Sequence, residues 1–187
     1  PNDSSRIWVG TGENVAGRHV GIGHGIYLSK DSGSTWDDMG LNKSEHISKI
    51  IVHPDNSNII WVASQGPLWN SGGDRGLFMS TDGGNTWSNK LYVNEWTGVT
   101  DIIIDPTNPD ILYAATWQRH RNVASLIDGG PGTSIYKSID GGNTWNEIDS
   151  GLPSSNMGKI GLAISPMKPE VIYAAIELDR RSGAVFR

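Results

Sequence analysis

The pattern SxDxGxTW occurs three times in this chain: SKDSGSTW at Ser29–Trp36, STDGGNTW at Ser80–Trp87 and SIDGGNTW at Ser138–Trp145. A repeat constrains architecture before any other signal does, and recurrence every ~50–60 residues belongs to propellers, in which each repeat is one small sheet. A second element keeps step with the first: PNDSSRIWVG from Pro1, PDNSNIIWVA from Pro54, PTNPDILYAA from Pro106 and PMKPEVIYAA from Pro166. In every copy the proline precedes an aromatic residue by the same interval, at Trp8, Trp61, Tyr113 and Tyr173. The runs KIIVHP, DIIIDP and GLAISP lead into the last three of these prolines.

Each full unit therefore reads as four short strands: a β-branched run ending at proline, an aromatic-containing run, a run such as GLFMS or SIYKS, and a run opening with TW. Gly, Pro, Asn and Asp clusters separate them, the punctuation of an antiparallel meander. No stretch repeats apolar residues at three- and four-residue spacing, so no amphipathic helix is expected. Strands such as IIWVAS and ILYAAT are apolar at nearly every position, as in a sheet covered on both faces. The expected fold is all-β, a β-propeller segment of four-stranded antiparallel blades whose SxDxGxTW hairpins join the third and fourth strands. Its parts are a partial blade at 1–38, blades at 47–90 and 99–148, and a partial blade at 158–187. GAVFR at Gly183–Arg187 aligns with GIYLS and GLFMS, so a fourth motif should follow, and the chain reads as an excerpt of a larger protein.

The formal net charge is −5, with acids and bases interspersed, which disfavours a nucleic-acid partner. No apolar run is long enough to insert into a membrane. The absence of cysteine excludes internal disulfides and is compatible with several compartments.

The motif's chemistry is that of a turn. Asp31, Asp82 and Asp140 can accept backbone N–H bonds, and Gly33, Gly84 and Gly142 can supply positive φ. Thr35, Thr86 and Thr144 restart the strand; Trp36, Trp87 and Trp145 can bury a ring and offer an indole N–H. Ser29, Ser80 and Ser138 open each copy. An aspartate repeated in every blade reads as structural, because an active site needs one constellation rather than several.

SxDxGxTW is the pattern of the Asp-box, or bacterial neuraminidase repeat. Over essentially its whole length the chain resembles the Asp-box β-propellers: sialidases, xyloglucanase-type glycoside hydrolases and sortilin-type sorting receptors. It is similar to large secreted bacterial proteins with a sortilin-like propeller, on the segments GTGE (Gly10–Glu13), GPLW (Gly66–Trp69), TGVTD (Thr97–Asp101) and ATWQRHR (Ala115–Arg121). The resemblance implies a secreted, periplasmic or cell-surface location in a bacterium, and implies fold more strongly than activity. Nothing here matches the arginine-containing first-strand motif of sialidases, nor their Tyr and Glu pair. Xyloglucanase-type enzymes draw two carboxylates from opposite parts of a large cleft, about 5–10 Å apart in glycosidic chemistry. An excerpt can hold one without the other, so the catalytic residues stay unknown.

In a four-stranded meander the proline turns and the SxDxGxTW turns share one rim, leaving longer, dissimilar loops on the other: Glu13–His24, Gln65–Arg75 and Gln118–Thr133. Variable loops on a rigid scaffold are where binding usually resides. Three of the eight tryptophans, Trp69, Trp96 and Trp117, lie outside the repeat positions and map to this rim, either as stacking surfaces or as pins for their own loops. Arg119, His120 and Arg121 form the local basic cluster, suited to a carboxylate or sulfate or else to neutralising Asp128 or Asp101. His19, His24, His46 and His53 suggest no metal site, since His53 belongs to the proline rim and no ligand partners stand at zinc spacing. The glycine-rich GTGENVAG precedes a strand rather than a helix and is no phosphate loop. No cofactor is expected; calcium at an Asp-rich turn is an open alternative.

These residues point to an extracellular recognition module for protein, peptide or glycan, acting through the face of Trp69, Trp96 and Trp117, and lean away from catalysis by this segment alone. One alternative is a glycoside hydrolase with part of its active site outside the segment; another is a structural subunit of a surface assembly. The implied partners are the remaining blades of the same propeller and a protein or glycan ligand, with no nucleic acid and no membrane insertion.

Overall fold

The computed structural model describes residues 3–179 and 182–187, position 179 by its backbone alone; Pro1, which opens the first proline segment, lies outside the described residues. The fold is all-β and propeller-like, four antiparallel sheets in chain order with no helix among the described residues. The first sheet holds β1 (Ile7–Gly10), β2 (Ile26–Ser29) and β3 (Asp37–Asp38). The second is a meander of β4 (Ile47–Val52), β5 (Ile60–Gln65), β6 (Arg75–Ser80) and β7 (Ser88–Leu91). The third runs β8 (Thr97–Ile104), β9 (Leu112–Arg121), β11 (Ile135–Ser138) and β12 (Asn146–Ile148), while β10 (Leu126–Asp128) pairs with the far end of β9. The fourth has β13 (Ile160–Ser165), β14 (Lys168–Asp179) and β15 (Ser182–Phe186).

The sheets stack face to face, each pair closing its own core. Ile26, Leu41, Ile47, Ile60, Val62 and Phe78 fill the space between the first and second sheets. Trp61, Leu77 and Met79 meet Val99, Ile102 and Leu112 between the second and third. Tyr113 and Ile135 meet Ile160 and Ile176 between the third and fourth. Every residue of β5 is buried, which explains the unbroken apolar run in its sequence.

β4, β8 and β13 are stitched together by polar groups. Asp101 accepts from Lys49 Nζ at 2.7 Å through Oδ1 and from the Leu162 amide at 2.8 Å through Oδ2. Lys49, Asp101 and Gly161 occupy one repeat position, so a single carboxylate joins three sheets. Ladder irregularities between Ile47 and Lys49 and between Val99 and Asp101 set Ser48 and Thr100 out of register, and Ser48 Oγ donates to Val99 O at 2.8 Å.

The three SxDxGxTW turns are built alike. The serine hydroxyl donates to the aspartate at 2.8 Å in each copy, and the aspartate accepts the threonine amide at 2.8–2.9 Å and its hydroxyl at 2.6–2.7 Å. These bonds, the threonine hydroxyl's first, hold Asp31, Asp82 and Asp140 down to about 2. The turns touch the proline loops of their own sheets, through Ser32 N to Ser5 O, Gly83 N to Asn58 O and Gly141 N to Asp110 O, so both share one rim as expected. The residue before each proline caps its turn: His53 Nδ1 accepts the Asp55 and Asn56 amides, Asp105 Oδ1 the Thr107 and Asn108 amides, and Ser165 Oγ the Lys168 amide.

The aromatic residue of each of the first two proline segments locks one sheet to the next. The Trp8 ring lies where a β-carbon on Gly84 would collide with it; at Gly142 such a carbon would stand 2.5 Å from Trp61 Nε1. Both glycines have positive φ, +90° and +84°. Trp61 also donates to Gly141 O at 3.2 Å, and Trp87, stacked edge-on to Trp8, donates to Met39 O at 2.8 Å.

Two outcomes are expected. Gly142→Ala should cost about 1–3 kcal/mol by combining left-handed strain with a clash, whereas Ser32→Gly, relieving a serine at φ 60°, should gain up to about 1 kcal/mol, both read from urea midpoints. Because the three aspartates titrate lower in the fold than in the unfolded chain, their contribution is present above about pH 4 and lost as pH falls toward 2. A triple Asp→Asn variant at positions 31, 82 and 140 should show a flatter acid limb in its melting temperature than the parent.

Candidate functional site

The loops opposite the SxDxGxTW turns form a continuous rim, organised by two buried arginines. Arg75, 1% exposed, donates to the carbonyls of Gln65, Pro67, Asn70, Gly72 and Trp96, and so shapes the 66–74 loop around itself. Arg119, fully buried, donates to Val15 O at 2.5 Å and to Gly66 O at 3.4 Å.

The loop after β1 crosses this rim as a strap. Lys159 Nζ donates to Asn14 O at 2.5 Å, Arg119 to Val15 O, Arg121 to Ala16 O at 2.8 and 3.1 Å, and Arg18 reaches Val123 O at 3.3 Å. Asn14 Oδ1 also accepts from Gln65 Nε2. Cations of the third and fourth sheets thus grip the backbone of a loop from the first.

This geometry corrects two expectations. Arg119 and Arg121 are committed to backbone carbonyls, and neither pairs with Asp128 or Asp101, which bonds Lys49 instead. Trp117 is 2% exposed, beneath Arg119 and Lys159, whose charged ends lie 5.1 and 5.3 Å from its ring centre, so it offers no surface to a ligand. Trp69, 37% exposed, does face solvent. Trp96 and His120 are half-buried and in contact, their rings tilted by 41° with centres 4.0 Å apart. Of the histidines, His53 stacks on Trp61, His19 and His24 are exposed, and His46 is fully buried, where desolvation and then the Arg119 charge push it down to about 4.

Beside the strap, a cavity of about 540 Å³ opens between the β9–β10 hairpin and β14, lined among others by Ser125, Asp128, Asn156 and Glu177. Asp128 Oδ1 is buried and has no hydrogen-bond partner among the described residues. Burial, and next the Glu177 charge, raise the Asp128 carboxyl above the usual range, opposed by Arg119, Arg121 and Lys159. Glu177 is exposed, with Oε2 facing the Lys159 amide at 3.4 Å. A carboxyl whose proton is held more tightly than usual, in one cavity with an exposed carboxylate, is an arrangement suited to acid–base chemistry. Sequence reasoning passed over Glu177; the available signal is that β9 and β14 run past the repeat's apolar core into the polar tails QRHR and ELD.

A family model described as "Sortilin, neurotensin receptor 3," (Sortilin-Vps10) matches residues 24–155. The oligoxyloglucan-reducing end-specific xyloglucanase of Emericella nidulans and a probable one of Neosartorya fischeri are each 23% identical over 163 residues, covering 79% of this chain. A xyloglucanase of Hypocrea jecorina is 25% identical over 149 residues, covering 78%. The chain spans only 16–17% of the length of these curated relatives. Among solved structures, the GH74 xyloglucanase from Xanthomonas campestris superimposes with a TM-score of 0.69 at 16% identity, over 99% of this chain and 27% of that one. The GH74 enzyme of Niastella koreensis does so at 0.64 and 18% identity, over 95% and 24%.

Since Glu177 raises Asp128, Glu177→Gln should lower the Asp128 titration midpoint measured by carboxyl-carbon NMR. Asp128 disfavours folding once pH exceeds its unfolded value, so Asp128→Asn should raise the melting temperature at pH 7 relative to pH 4.

Proposed function

This chain belongs to the Sortilin-Vps10 family, and from that premise we propose that it is part of a glycan-binding propeller of glycoside-hydrolase type, with the loop rim as one wall of the substrate cleft. The observation that carries this reading is the cavity in which the buried Asp128 carboxyl stands with the exposed Glu177 carboxylate, flanked by Ser125 and Asn156 as sugar hydroxyl partners. Trp69 and the half-buried Trp96, in contact with His120, supply aromatic surfaces on the same rim for sugar rings. The names of the relatives support a xyloglucan-type substrate class. In this reading Asp128 protonates a departing glycosidic oxygen, and Glu177 activates water or orients the sugar. Neither role needs a cofactor. A polymeric substrate of this size is met outside the cytoplasm, which supports a secreted or surface location.

The four sheets are assigned as blades, complete at 47–90 and 99–148 and partial at 1–38 and 158–187. The opposite wall of the cleft is assigned to propeller sequence beyond this segment, in keeping with the small share of the relatives' length that it spans. Binding without turnover is the second reading, favoured by Trp69 and Trp96 on the rim, whose rings can hold a sugar without a proton transfer.

The full-length protein, assayed on xyloglucan oligosaccharides by product chromatography and calorimetry, tests both. Hydrolysis that falls about 100-fold or more in Asp128→Asn or Glu177→Gln with binding retained supports the catalytic reading. Binding that weakens in Trp69→Ala with no product formed supports recognition alone, and hydrolysis indifferent to both carboxyl variants removes the pair from the mechanism.

A further inference from the structure

Beneath the strap, next to the cavity that carries the functional reading, lies a concentration of positive charge. Arg119 is fully buried, Arg75 is 1% exposed and Lys159 is half-buried, and among the described residues none of the three forms an ion pair. Asp128 and Glu45 act on Arg119, and Asp101, Asp128 and Glu177 on Lys159, without closing an ion pair to either. Buried charges are ordinarily paired, because removing an ion from water costs several kcal/mol that carbonyl contacts alone offset only in part.

The same place holds N–H groups with nothing to bond. Trp117 Nε1 and Arg119 Nε are buried and unpartnered among the described residues. Trp117 and Arg119 stand two residues apart on β9 and so project from one face of the strand. The guanidinium carbon lies over the indole face, 5.1 Å from its centre, with Lys159 Nζ 5.3 Å from the same ring. Two unpartnered donors, one belonging to a guanidinium, next to a half-buried ammonium form the reverse of a cation site.

We propose that the group at Trp117, Arg119 and Lys159 is a buried binding site for a small inorganic anion of halide size, which accepts from Trp117 Nε1 and Arg119 Nε and neutralises the arginine cluster under the strap. The anion would tie the 13–24 loop to the third and fourth sheets by allowing Arg119 and Lys159 to remain charged while they hold the Val15 and Asn14 carbonyls. A carboxylate-bearing ligand is excluded from this role by the burial of Trp117 and Arg119, which leaves no path for a bulky substituent in the closed strap.

Crystals of the full-length protein soaked in sodium bromide, with data collected at the bromine edge, test the assignment. The expected result is an anomalous peak within about 3.5 Å of both Trp117 Nε1 and Arg119 Nε; a water at that position, or bromide confined to the surface, overturns it. In solution at constant ionic strength, bromide in place of gluconate should raise the melting temperature of the parent. Trp117→Phe, which keeps an aromatic ring but lacks the indole N–H, should weaken the apparent bromide affinity about tenfold or more. A parent protein indifferent to the anion, or a Trp117→Phe variant with unchanged bromide response, is the contrary result.

Discussion

The interaction on which this arrangement depends is the contact between an aromatic ring in one sheet and a glycine in the turn of the next. Trp8 meets Gly84 and Trp61 meets Gly142, each against a residue with positive φ and no side chain. A turn of any other composition would hold the neighbouring sheet away, and the cores between sheets would open. The aspartate of the same turn keeps it rigid enough to serve as a socket, through bonds to the following threonine that recur in all three copies. Asp101 performs the corresponding task at the inner strands, bonding Lys49 on one side and the Leu162 amide on the other.

With assembly assigned to one rim, the other is free to vary. Its loops carry no repeat, and order comes instead from two buried guanidinium groups that collect carbonyl oxygens. This is a demanding way to shape a loop, since desolvation acts against each charge and the two arginines repel one another. It nevertheless fixes backbone from distant parts of the chain in one place. The cavity holding Asp128 and Glu177 lies beside that fixed framework, and acid–base chemistry needs such rigidity around it.

How far the chain could be read in advance differs between the rims. The strands, their order and the shared rim of proline and SxDxGxTW turns were legible because each repeats, and repetition makes a local pattern readable without knowledge of its surroundings. The capping role common to His53, Asp105 and Ser165 follows from the same alignment. The backbone partners of the basic cluster were not legible, for the opposite reason. Arg119 and Arg121 occur once, and their acceptors at Val15 and Ala16 lie about a hundred residues away in a loop with no distinctive composition. Trp117 was open to two readings, a stacking surface or a pin for its own loop, and its burial beneath Arg119 and Lys159 favours the pin.

The all-β fold, the antiparallel meander and the position of each structural turn follow from local pattern, since hydrogen bonds within a turn and alternation along a strand involve neighbours in the chain. Which polar groups meet depends on contacts between distant parts of the chain. The placing of Asp128 and Glu177 in one cavity, the burial of Arg119 and the strap that covers it all join sheets that are separate in sequence. Burial then sets the chemistry, because a carboxyl or guanidinium removed from water acquires properties that its residue type alone does not specify.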